Sequence, residues 1–103
     1  MSKKILITGA TSGIGKATAI LAASKGHRVF LSGRNENELA LLQKQINAAG
    51  SKKADVVNVS EVQELVKEAN ATMNGIDVLL NNAGLGIFDP LEEGKLSDWH
   101  VMV

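Results

Sequence analysis

The sequence predicts an α/β protein built on a doubly wound parallel sheet. Three observations lead there. Four short apolar runs alternate with three helical patterns along the chain, and such alternation implies right-handed crossovers between parallel strands. The runs are nearly continuous rather than alternating, which suits strands buried on both faces. A glycine-rich turn joins the first run to the first helix.

Each element has its own signal. Residues 3–8 (KKILIT), 28–32 (RVFLS), 54–59 (ADVVNV) and 76–81 (IDVLLN) are of strand length and composition. After Gly13, the residues Ile14, Ala17, Leu21 and Ala22 fall on one helical face, and Gly26 stands where that helix would stop. Asn35 with Glu38 is a capping-box-like start, and Leu39, Leu42, Ile46 and Ala49 follow at helical spacing up to Gly50. Ser60 with Gln63 repeats that start. Val62, Leu65, Val66 and Ala69 continue the helix, and Asn74-Gly75 closes it. Residues 82–96 are a long irregular stretch, and loops of that length in compact domains are often functional. The final "LSDWHVMV" reads as the start of a fourth helix. The whole of 1–103 reads as one domain, without repeat, low-complexity tract or linker.

Composition narrows the function. Apolar residues make up 45% of the 103, so a folded globule is expected. Net charge is zero with no basic block, which disfavours nucleic-acid binding. Cysteine is absent, excluding disulfides, thiolate metal sites and a Cys nucleophile. No metal site is expected. The apolar run behind the N-terminal lysines is too short for a signal peptide or membrane span, so a cytoplasmic location is expected.

The stretch "TGATSGIGKAT" (Thr8 to Thr18) reads as a phosphate cradle. A triphosphate-binding loop needs four residues between its glycines and a hydroxyl directly after its lysine. Here Gly9 and Gly15 have five residues between them, and Ala17 follows Lys16. Thr18 comes one position late, a rotation of roughly 100 degrees on a helix. A dinucleotide cradle instead uses glycine for a tight turn and for close approach of the backbone to a pyrophosphate. The next helix then directs its free N–H groups and positive dipole end at the anion. Gly9, Gly13 and Gly15 stand where that requires them.

The segment "TGATSGIG" resembles the glycine motif of the short-chain dehydrogenase/reductase family. "NNAG" at 81–84 resembles the family's second signature. "NVSEVQELV" at 58–66 looks like its third-strand end, with Asn58 where members often have Asp. Trp99 looks like the start of its fourth helix. The resemblance covers essentially the whole chain, and it implies a Rossmann-type fold with the first four strands and three helices of a longer single-domain enzyme.

Several residues are candidates for holding the cofactor. At the end of the second strand Gly33 occupies the position of a ribose-binding carboxylate, and Arg34 follows it. An Arg there accommodates a 2′-phosphate. NADP(H) is therefore expected over NAD(H), which stays possible, although an ordinary solvated Arg34 is the alternative and Glu36 and Glu38 weaken the case. Asn58 and Val59 are expected at the adenine pocket; a strand-end turn is the other reading of Asn58. Asn82, Ala83 and Gly84 would pass under the adenosine ribose, and Asn81 or Asn82 would tie the fourth strand to its neighbour. Ile14 would offer its backbone N–H, and Thr11 and Ser12 their hydroxyls, to phosphate. Lys16 is read as solvated rather than as a ligand. His27 and Asp77 fall at the opposite end of the sheet, His100 has no evident acid–base partner, and Asp89, Glu92 and Glu93 read as solvated.

The resemblance implies hydride transfer between a nicotinamide and a small-molecule alcohol or carbonyl substrate, with an Asn, a Ser and a Tyr-Lys pair handling the proton. None of these four is identified in this chain, which has no Tyr. They are expected beyond Val103, with 1–103 inactive alone, its fourth strand an exposed apolar edge and its stability marginal. The full-length protein is expected to be a homo-oligomer. The alternatives are a non-catalytic dinucleotide-binding or sensor module and a methyltransferase on a similar sheet. Gly33-Arg34 speaks against the methyltransferase, which would want a carboxylate for the ribose.

Overall fold

The computed structural model describes residues 2–11 and 13–82, and the backbone of 100–102. Its elements run β1 (Lys4–Thr8), α1 (Gly13–Ser24), β2 (Arg28–Gly33), α2 (Glu36–Ile46), β3 (Gly50–Lys53), α3 (Val59–Met73), β4 (Val78–Asn81) and β5 (His100–Met102). The sheet order is β3-β2-β1-β4-β5, with every pairing parallel.

Two apolar layers sandwich the sheet. Leu6 pairs in register with Phe30 and Leu79, and all three face α3, packing on Val62, Leu65, Ala69 and Met73. The next register row, Ile7 with Leu31, faces the other way and packs against Ala19 and Ala22 of α1 and Leu39 and Leu42 of α2. Successive strand side chains point to opposite faces, so runs of consecutive apolar residues serve both layers at once.

Helix α1 corrects the expected face. Its buried residues are Gly15, Ala19 and Ala22, whereas Ile14 and Leu21 are 76% and 56% exposed. The stripe against the sheet is made of small residues. A Cβ at Gly15 would collide with the Gly9 carbonyl oxygen, so the helix sits too close to the sheet for larger side chains there. Gly26 follows the helix in the left-handed region (φ 86).

The second and third helices follow their apolar patterns, with shifted ends. Asn35 caps α2 as expected, its Oδ1 accepting from Glu38 N at 3.0 Å. The helix stops at Ile46, because Asn47 takes the left-handed conformation (φ 54) and closes it before Gly50. Helix α3 begins with Asn58 as its cap, not Ser60: the Asn58 Oδ1 accepts from Glu61 N at 3.2 Å. Asn74 closes it in the same left-handed manner (φ 59).

The third strand is also displaced. It lies at Gly50–Lys53, not at 54–59. Gly50 and Ser51 pair with Phe30 and Leu31. At the strand's exits, Ala49 N donates to Val29 O (2.8 Å) and Ala54 N to Gly33 O (3.0 Å). As the terminal strand it needs few apolar side chains. The apolar residues Ala54 and Val56 instead pack on the α3 cluster from the segment that follows.

Residues 100–102 are a strand and not the start of a helix. They pair with Val78–Leu80, so the backbone groups of β4 that would have formed an open edge are engaged.

Candidate functional site

The strand order reverses between β1 and β4, since β1 runs on to β2 and β3 on one side and β4 lies on the other. In doubly wound sheets ligands bind outside the carboxyl ends of strands at such a switch point. A cleft of about 530 Å³ opens there. One wall carries Gly9 and Thr11 from the glycine turn, a second Ser32, Gly33 and Arg34 from the end of β2, and a third Ala54, Asp55, Val56 and Val57. Asn82, just past β4, completes it.

Backbone geometry shapes the turn. Gly9 (φ 61) and Gly13 (φ 50) both adopt left-handed conformations, where an ordinary side chain is strained. Ala10 N donates to Ser32 O at 2.9 Å, fixing the turn to β2. Helix α1 starts at Gly13 with no acidic residue in its first turn. Its first N–H groups lack intrahelical partners and carry the positive end of the dipole.

The end of β4 is strapped to β1. Thr8 Oγ1 donates to Asn81 Oδ1 (3.0 Å) and accepts from Asn82 N (3.1 Å). Asn81 therefore has the tying role that its sequence position suggested, and the Asn82 backbone shares it. The Asn82 side chain differs: its Nδ2 is buried without a hydrogen-bond partner. The amide lies close to Gly15, 2.8 Å from where a Cβ would stand.

Arg34 is exposed and lines the cleft beside Gly33. The ion pair found among the described residues is Lys52–Glu68 at 3.5 Å, so Arg34 is not committed to one. Glu38 shares the cleft. Lys16 is exposed on α1 and lines a neighbouring groove of about 540 Å³ with Thr11, Lys44 and Gln45.

Asn58 and Val59 stand at the start of α3. Asn58 spends its side chain capping α3, and Val59 is the helix's first residue, 55% exposed. Neither lines the cleft. Asp55, Val56 and Val57 do. Asp55 Oδ1 accepts from Val57 N (3.1 Å), and Glu61 Oε1 accepts from Asp55 N (2.9 Å). These bonds hold the segment as a tight wall. The signal available in the sequence was a single carboxylate, Asp55, inside an apolar run. Ser32 was also missed, because it reads as an ordinary strand residue.

Ser12, Ala83 and Gly84 lie outside the described residues, as do the loop carboxylates and Trp99. His27 and Asp77 sit at the opposite end of the sheet and bond the start of β1: His27 Nδ1 accepts from Lys3 N and Asp77 Oδ2 from Lys4 N, both at 2.9 Å. Among the described residues no group of His, Cys, Asp or Glu could hold a metal ion, and no helix is long and apolar enough to cross a membrane.

Parallel strand order, a left-handed glycine turn and a cleft at the switch point define a doubly wound α/β protein of the Rossmann type. The chain belongs to the short chain dehydrogenase family, whose profile matches residues 3–103. An uncharacterized oxidoreductase of Staphylococcus aureus is 36% identical over an alignment of 103 positions that covers 98% of this chain and 45% of that protein. Glucose 1-dehydrogenase of Gluconobacter oxydans is 41% identical over an alignment of 102 positions that covers 94% of this chain and 38% of that protein. The chain thus spans less than half the length of these curated relatives. A crystal structure of a short chain dehydrogenase/reductase from Burkholderia phymatum in complex with NAD superimposes with a TM-score of 0.73 at 31% identity, covering 77% of this chain and 30% of that one.

Proposed function

We propose that the cleft binds NADP(H) and that the protein carrying this chain interconverts a small-molecule alcohol and a carbonyl. Arg34 is the observation that carries this reading. It stands on the cleft wall without a competing ion pair, next to a glycine rather than a carboxylate. A guanidinium there binds a 2′-phosphate through charge-assisted hydrogen bonds, and Gly33 offers no negative charge to repel it.

The other residues fit the rest of the molecule. The N–H groups at Gly13, Ile14 and Gly15, with the turn from Gly9, face a pyrophosphate, and Thr11 and Ser12 supply hydroxyls to phosphate. The adenosine ribose is assigned to Asn82, Ala83 and Gly84. The adenine wall is Asp55, Val56 and Val57 in place of Asn58 and Val59: a carboxylate to accept from the exocyclic amine, and apolar sides for the ring face. The unpartnered Asn82 Nδ2 suits a polar ligand seated in the cleft. When bound, the nicotinamide supplies or accepts the hydride. The residues of this chain bind and orient it. No residue of this chain is assigned the proton-handling roles of the Asn, Ser, Tyr and Lys, and a homo-oligomer is part of the same reading. A cytoplasmic location goes with the same reading.

Titration of the purified protein with NADPH and NADH, before and after Arg34→Ala, tests the cofactor assignment. The substitution should weaken NADPH by about tenfold to a hundredfold, the worth of charge-assisted bonds, and NADH by much less. Equal losses would refute the role of Arg34. A second reading is a non-catalytic dinucleotide-binding module. Tight NADPH binding without turnover on any alcohol or carbonyl would support it.

A further inference from the structure

Ser32 lies in β2, directly before Gly33. Its side chain is fully buried, yet its Oγ has no hydrogen-bond partner. Among the described residues one other buried side-chain atom shares that condition, Asn82 Nδ2, and both residues line the same cleft. Buried polar groups are nearly always paired, and an unpaired one destabilises the protein that holds it. Two such atoms converging on one cleft from either side of β1 need a common explanation.

The position of Ser32 says which part of a ligand it would meet. Side chains two apart on a strand share a face, so Ser32 follows Phe30 onto the α3 side of the sheet. That is the side of Ala54 and Val56, which pack on the same cluster. The Ser32 carbonyl is already engaged, accepting from Ala10 N at 2.9 Å. The hydroxyl is the group left over, and it moves between staggered wells at little cost.

We propose that Ser32 is a ligand-binding residue of this cleft, its hydroxyl turning to hydrogen-bond the adenosine half of the dinucleotide while the Asn82 amide supplies a second bond. This rests on the cofactor reading above. The hydroxyl is unpaired in the free protein and paired in the complex, so its removal acts with opposite signs on the two states.

Ser32→Ala tests it through two measurements on the purified protein. One is thermal unfolding without ligand. The other is the dissociation constant for NADPH, NADH and 2′,5′-ADP, the last being the adenosine half alone. The expected result is an unfolding midpoint equal to or above that of the unaltered protein, with all three dissociation constants raised roughly fivefold. A lowered ligand-free midpoint would overturn the proposal, since the hydroxyl would then have a partner within the protein. Weakened NADPH with unchanged 2′,5′-ADP would also overturn it. If the unaltered protein binds the ligands and Ser32→Ala binds them equally well, the Ser32 contact alone fails. If the unaltered protein binds none of them, the cofactor reading fails and takes this contact with it.

Discussion

Gly15, in the first turn of α1, lies directly against the carbonyl oxygen of Gly9, with the Asn82 amide beside the same point. This contact sets the distance between helix and sheet, and with it the placement of the helix N-terminus at the cleft. Gly15→Ala should push α1 outward. Overpacking of this kind costs about 1–3 kcal/mol, and more where the obstacle is backbone. Chemical denaturation should show the loss, and NADPH titration a matching fall in affinity.

Gly33 has more room. A Cβ there would meet Thr11 Oγ1 at 3.4 Å and Leu39 Cδ2 at 3.7 Å, ordinary contacts. Gly33→Asp should therefore fold. Its carboxylate would repel a 2′-phosphate and accept from ribose hydroxyls, so the NADPH to NADH preference should reverse. Paired titrations read this directly, and an unchanged preference would place the selecting residue elsewhere.

Asn58 caps α3 and stands off the cleft. Asn58→Ala should cost about 1 kcal/mol of stability, as loss of a cap does, while dinucleotide affinity stays within about twofold, well under the worth of a single hydrogen bond. Asp55→Ala should do the reverse for affinity, weakening 2′,5′-ADP by roughly fivefold or more, about one hydrogen bond. Comparing the two by calorimetry separates the cap from the adenine wall.

Asn47 ends α2 with a left-handed backbone and donates its N–H to Gln43 O. Glycine adopts that conformation at less cost than any other residue. Asn47→Gly should raise stability by a few tenths of a kcal/mol, and Asn47→Ala should lower it by about 1 kcal/mol. Thermal unfolding midpoints of the two variants should bracket that of the unaltered protein.

Much of this architecture was legible because it is dictated by periodicity. Leu39 and Leu42, or Val62, Leu65 and Ala69, form the inner faces of α2 and α3 wherever the helix ends fall. The glycine turn was legible because left-handed backbone at Gly9 and Gly13 has few other solutions. What escaped was set by partners distant in sequence. The strand Gly50–Lys53 carries no apolar signal of its own and is defined by pairing with β2. The apolar run that follows it looked like that strand while serving as cleft wall and core. On α1, close approach to Gly9 selects small residues for the buried face and turns Ile14 outward, the reverse of the usual pattern. The unpaired hydroxyl of Ser32 can be found only after counting the hydrogen bonds around it.

The terminal position of β3 also bears on how the molecule behaves at high concentration. At this edge of the sheet a strand from another copy would lie alongside Gly50–Lys53, and Lys52 is already joined to Glu68. Stacking a second such strand there would bring like charges together and strip water from ammonium groups. An edge strand without a single apolar side chain is thereby a poor seed for fibrils.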